Sequence, residues 1–140
     1  MTRFLLVAAL SLCTLPTASA TTLDLAMSIR PDGAPQTWTV DVTGGAPIST
    51  RAPGNDDWEI RLDVDEGAGA VTVDVGIYEV VTNKAGRERL VLTTEQTLTA
   101  AHGEPAALLY RFSDSMHWVR QQRKLGQRPT GLLLEVTPQA

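Results

Sequence analysis

Ser113, Asp114, Ser115 and His117 place hydroxyls, a carboxylate and an imidazole within five residues. A nucleophilic serine needs a base within hydrogen-bond reach, an acid that orients the base, and donors for the oxyanion. Closeness in sequence does not build that geometry, and no G-x-S-x-G elbow occurs in the chain. These residues therefore read as a turn or the cap of a helix. A second concentration is acidic: Asp56, Asp57, Glu59, Asp63, Asp65 and Glu66. Calcium takes such oxygens, but only fragments of a calcium loop are present. Two carboxylates on same-face strand positions lie about 7 Å apart in any strand, so their spacing does not mark a glycosidase pair. The regular alternation of Asp57, Glu59, Arg61, Asp63 and Asp65 reads as the wet face of a strand. The two histidines, His102 and His117, fall in different segments and do not supply a metal-ligand pattern. No catalytic, metal-binding or cofactor-binding residue is assigned.

The basic block from Arg120 to Arg128 is the better candidate. Arg120, Arg123, Lys124 and Arg128 stand among Gln121, Gln122 and Gln127, beside Trp118. Clustered guanidinium groups recognise carboxylates and phosphates by forked hydrogen bonds. Trp118, Arg120, Arg123, Lys124 and Arg128 are therefore the expected partner-binding residues. Outside the cytoplasm the available anions are lipid headgroups, cell-wall polymers and acidic protein faces.

That compartment follows from the first twenty residues. Arg3 precedes the apolar run Phe4 to Leu15, and Ala18-Ser19-Ala20 is a small-x-small cleavage site. The run is too short for a stable bilayer anchor. Cleavage after Ala20 leaves residues 21–140 as one domain with no membrane-spanning segment, periplasmic or secreted. Cys13, the only cysteine of the 140 residues, lies inside the export segment and follows Leu12, where a lipoprotein would have a small residue. The exported part thus has no disulfide, thiol nucleophile or cysteine-held metal. Residues 21–80 carry eleven acids and three bases, and residues 81–140 carry five acids and eight bases. The overall acidity argues against nucleic-acid binding. The asymmetry implies either two differently solvated faces or a basic patch in the second half that meets an anionic partner.

The elements that must position these groups are strands. Leu23, Leu25, Met27 and Ile29 alternate with polar or small residues, as do Trp38, Val40 and Val42, and Trp58, Ile60, Leu62 and Val64. Val71, Val73, Val75 and Ile77 continue the pattern. At Tyr78 and Val80 the apolar parity changes just after Gly76, which predicts a β-bulge nearby. Turns are expected at Pro31-Asp32-Gly33, Gly67-Ala68-Gly69 and Asn83 to Gly86. Further strands are expected near Arg87–Thr99, Ala106–Phe112 and Leu132–Thr137. The rhythm predicts an all-β antiparallel sandwich of seven to nine strands.

Ser113 to Gly126 admits two readings. One is a short helix near residues 114–125, capped by Ser113 or Asp114 and stopped by Gly126, with Met116, Val119 and Arg123 on one face. The other is a strand through Met116 and Trp118 followed by a polar loop. Gly45-Ala46-Pro47 and Gly103-Glu104-Pro105 form an internal echo. Each suits a corner where the chain changes sheets, and together they suggest two related halves packed face to face.

With its corners and alternation, the segments LDLAMSIRPDG, GGAPIST, DWEIRLDV, VTVDVGIYEV, HGEPAALLY and GLLLEV, the chain resembles small periplasmic β-domains of bacteria. These occur alone or appended to secretin-like pore proteins, BlaR-like membrane peptidases and TonB-type proteins. The resemblance covers most of residues 21–140 and implies an accessory or interaction domain without chemistry of its own. The stretch Arg120–Arg128 has no counterpart in that rhythm and reads as an insertion. The expected function is a non-enzymatic contact with an envelope protein, at a strand edge or on the basic segment. The alternatives are a carrier of an apolar ligand or lipid lined by Trp38, Trp58 and Trp118, and an enzyme inhibitor presenting Ala46–Asn55.

Overall fold

The computed structural model describes residues 22–31 and 33–139. The expected export segment and cleavage site, Cys13, and Asp32 of the first expected turn lie outside the described residues. Strands β1 (Thr22–Arg30), β2 (Gln36–Asp41), β3 (Ile48–Thr50), β4 (Trp58–Glu66), β5 (Val71–Thr82), β6 (Glu88–Ala100), β7 (Ala106–Arg111) and β8 (Gly131–Gln139) enclose one helix, α1 (His117–Lys124). They form two antiparallel four-stranded sheets, β2-β1-β8-β7 and β3-β4-β5-β6. The architecture is the all-β sandwich that the alternation requires.

β1, β4, β5 and β8 each turn an apolar parity inward. Leu25 and Met27, Ile60 and Leu62, Val73 and Val75, and Leu132 and Leu134 are all 2% exposed or less. Burying these side chains between the sheets is the main favourable term, since no cross-link is available. The opposite parity of β4 carries Glu59, Arg61, Asp63 and Asp65 on the outer face, as expected of a half-wetted strand.

Both G-x-P corners change sheets. The chain passes from β2 to β3 through Gly45–Pro47, and from β6 to β7 through Gly103–Pro105. The sheets are nonetheless not the two halves of the chain. One is a continuous β3–β6 meander, whereas the other joins β1 and β2 to the C-terminal β7 and β8. Long-range pairing of β1 with β8 overrides the local echo.

The expected bulge is present, but the expected change of parity in β5 is not. The register does shift between Ile77 and Tyr78, but the extra residue is Thr93 on β6: Ile77 pairs with Thr94 and Tyr78 with Leu92. β5 itself keeps its parity. Tyr78 stays on the outer face, and the next inward position is Glu79, which is only 4% exposed. Gly76 serves a different purpose there. A Cβ on it would come within 3.1 Å of the Tyr78 ring, which lies over the glycine with the Arg61 guanidinium 4.7 Å from the ring centre.

The β2 and β3 edges are laced together. Trp38 donates its indole N–H to Thr50 Oγ1 at 2.9 Å, and Gln36 donates to the Pro53 carbonyl and accepts from Asn55. On the outer face of the meander, Arg51 forks onto Glu88 (3.0 and 3.3 Å) and onto Glu59 (3.1 and 3.3 Å). Glu59 also accepts from Arg61 at 3.2 Å, so one chain of charges ties β4, the β3–β4 loop and the start of β6. The Arg51 hydrogen bond, then its charge, holds the Glu88 carboxyl below the ordinary glutamate value. The same partner raises the Arg51 guanidinium.

A group whose pKa falls on folding adds stability above its unfolded value and loses it as pH falls through the native one. Arg51→Met should therefore lower the urea midpoint at neutral pH, and the gap to the wild type should shrink as pH falls through the carboxylate range. Urea titrations of both proteins across that range check this; a gap that is constant with pH contradicts it.

Candidate functional site

The chain between β7 and β8 settles the open choice in favour of a helix, but its start is not capped as expected. The N-cap is Met116, with no side-chain cap bond. Ser113 Oγ bonds Ser115 Oγ at 2.8 Å, and Asp114 receives Arg123 at 2.6 Å. The hydroxyls and the acid of the serine-histidine cluster are thus engaged elsewhere. Among the described residues no three His, Cys, Asp or Glu side chains gather as a metal would require.

The first turn of α1 is anchored from the sheet instead. Glu79 Oε2, on the inner face of β5, accepts the backbone N–H of Trp118. A carboxylate at a helix N-terminus satisfies an otherwise orphan donor and meets the positive end of the helix dipole. The Trp118 side chain is held as well. Its indole N–H donates to Asp57 Oδ2 at 3.1 Å. Its ring stands edge-on to Trp58 at 5.1 Å and tilted on Phe112 at 5.4 Å, while Phe112 stacks flat on Trp58 at 5.6 Å. Val119 is buried beneath the helix. α1 is therefore a lid over one end of the sandwich. Gly126 (φ +83°) ends it in the left-handed conformation, as its sequence position predicts.

This arrangement divides the expected partner-binding residues. Trp118 holds the helix through its ring, indole N–H and main-chain N–H, and the half-buried residue also lines a recess of about 260 Å³ with Met27, Ile29, Gln122 and Pro129. Arg123 is exposed and paired with Asp114 rather than sharing a buried face with Met116 and Val119, because a long cation keeps its head in water. Arg120, Lys124 and Arg128 are exposed and make no ion pair among the described residues. Arg120 faces β6, whereas Lys124 and Arg128 belong to the end of the helix and the turn beyond it.

Arg120 reaches a groove of about 350 Å³ between β6 and the β7–α1 connection. Arg89, Val91 and Leu92 of β6 form one wall, and Tyr110, His117 and Arg120 line the other. Leu92 is 49% exposed. β6 is a thirteen-residue strand at the edge of its sheet. Among the described residues no strand pairs with its outward main-chain groups, so the groove runs along an open strand edge. The cations of the second half gather in and just after α1, as Arg120, Arg123, Lys124 and Arg128, whereas β6 carries Glu88 and Glu95 beside Arg89.

Arg89, Leu92 and Tyr110 were not identifiable as site residues from sequence, since each is an ordinary strand residue until the topology sets β6 opposite α1. Glu79 did carry a signal. Continuing the Val71, Val73, Val75, Ile77 parity by one step puts an acid in the core.

The three tryptophans do not line a common space. Trp58 is fully buried against other rings, Trp38 ties two edges, and Trp118 closes the end. Ala46–Asn55 is not a free protruding loop: it contains β3 and the buried Ala52.

Glu79→Ala should release the first turn of α1 and cost about 1–3 kcal/mol, with Trp118 fluorescence shifted to the red; Glu79→Gln, which keeps an acceptor, should lose less. Equal urea midpoints for wild type and Glu79→Ala would contradict the docking role. In comparisons with known proteins, no family model, no curated protein and no solved structure matches the chain.

Proposed function

We propose that the protein is an exported, non-catalytic interaction module that captures an acidic, extended segment of an envelope protein along the edge of β6. The observation that carries the reading is the juxtaposition of a long edge strand with a groove that presents Arg89, Arg120 and His117 around the half-exposed Leu92. Main-chain hydrogen bonds to an added strand give affinity, and side-chain recesses beside it give selectivity. Cationic rims steer an acidic segment and reject a basic one.

The Thr93 bulge favours the first half of β6 as the docking stretch. A bulge breaks the ladder and twists the strand, so an added segment pairs most regularly beside Glu88–Leu92. The same bulge discourages indiscriminate edge-to-edge aggregation. The filled space around Trp58 gives the carrier reading no comparable support.

A photo-crosslinking residue at Leu92, introduced in the producing cell, should yield a discrete adduct with an envelope protein. The same group at Leu109, 54% exposed on the opposite sheet, should not. Arg89→Glu with Arg120→Glu should abolish the adduct. No adduct at position 92, or equal adducts at both positions, contradicts the proposal.

A further inference from the structure

The turn that ends α1 has properties the β6 groove does not use. Residues 123–128, with the sequence RKLGQR, are six successive exposed residues. Leu125, at their centre, is 73% exposed, more than either other exposed large apolar side chain. It is not displayed by fraying. Leu125 N–H donates to the Gln122 carbonyl at 2.9 Å, Gly126 N–H to Arg123 at 3.0 Å and Gln127 N–H to Gln122 at 2.9 Å. A closed turn holds the leucine outward.

Its surroundings are cationic. From Ser115 to Leu134 the chain contains no acid, but has Arg120, Arg123, Lys124 and Arg128. Asp114 offsets Arg123, leaving Arg120, Lys124 and Arg128 without ion-pair partners among the described residues. An exposed leucine amid unpaired cations costs solvation and gains nothing inside the fold.

We infer that this turn is a contact with an anionic phospholipid surface, reached by Leu125 entering the acyl boundary while Lys124 and Arg128 stay with the phosphates. A bilayer interface accepts a lone protruding apolar side chain without a matching hole, and lets flanking lysine and arginine reach the headgroups. Nucleic acid would use the cations but not the leucine. The net acidity of the chain does not prevent the contact. Screening over about 8 Å confines each charge to its neighbourhood, and the stretch from Ser115 to Leu134 has no acid of its own.

This inference is separate from the β6 reading, and its variants leave Arg89, Leu92 and Arg120 intact. The exported protein is mixed with vesicles of phosphatidylcholine containing about one third phosphatidylglycerol, and with vesicles of phosphatidylcholine alone. Sedimentation should carry the protein down with the first and not the second, and added salt should release it. Lys124→Gln with Arg128→Gln should weaken partition about tenfold, and Leu125→Ser about fivefold. All variants should retain the wild-type melting temperature and the Leu92 adduct. Equal sedimentation with both vesicles, none with either, or a double variant that binds like the wild type overturns the inference. Binding of a polyglutamate peptide to the turn without vesicle partition overturns it too, by assigning the turn to a protein partner.

Discussion

The helix that lids the sandwich depends on one buried carboxylate. Glu79 faces inward at the point where β5 runs out of apolar partners, and its oxygen takes the main-chain N–H of Trp118. That bond brings the Trp118 ring onto Trp58 and Phe112 and its indole within reach of Asp57. A short helix with no side-chain cap of its own is marginal in water. Here tertiary contacts supply what local sequence does not. Trp58 Nε1 is buried without a hydrogen-bond partner. Burying the stacked ring outweighs that loss, because apolar area and aromatic packing together exceed the cost of one unmade bond.

This docking decides where the second-half cations stand. Arg120, Arg123 and Lys124, at i, i+3 and i+4, share one side of the helix, and their partners distinguish them: Arg123 is taken by Asp114, while Arg120 lines the β6 groove. With Val119 buried and Trp118 anchored, Arg120 lines the β6 groove, Arg123 reaches back to Asp114, and Lys124 is the last helical residue before the turn that leads to Arg128. One basic block in sequence becomes two surfaces in space: one wall of a groove and one exposed turn.

The sequence made the sandwich legible because period-two alternation is an immediate consequence of burying one face of a strand. The β4 pattern from Trp58 to Asp65 translated directly into a buried and a wet face. The G-x-P corners were legible because glycine and proline suit a break between ladders. The bulge was visible only as a disturbance near Tyr78. The change of parity expected in β5 does not occur, because Tyr78 and Val80 are apolar residues on an outer face, while Glu79 is an acid on the inner one. Local polarity misreports direction when a buried acid has a distant partner, and the partner of Glu79 lies 39 residues away. The helix start was misjudged for the same reason. Ser113 and Asp114 have capping chemistry, but Ser115 and Arg123 engage them first. The groove was not legible at all, since it exists only where topology sets β6 opposite the β7–α1 connection.

The account rests on β6 being an open edge whose facing wall is α1. Amide hydrogen exchange on the protein before and after partner capture tests this most directly. In the free protein the Trp118 amide should exchange slowly, and the outward amides of Glu88–Leu92 rapidly. Capture should slow exchange at Glu88–Leu92 and along His117–Arg120, and leave the outer face of the β1–β8 sheet unchanged. Protection on that sheet instead, or an unchanged β6, would contradict the account.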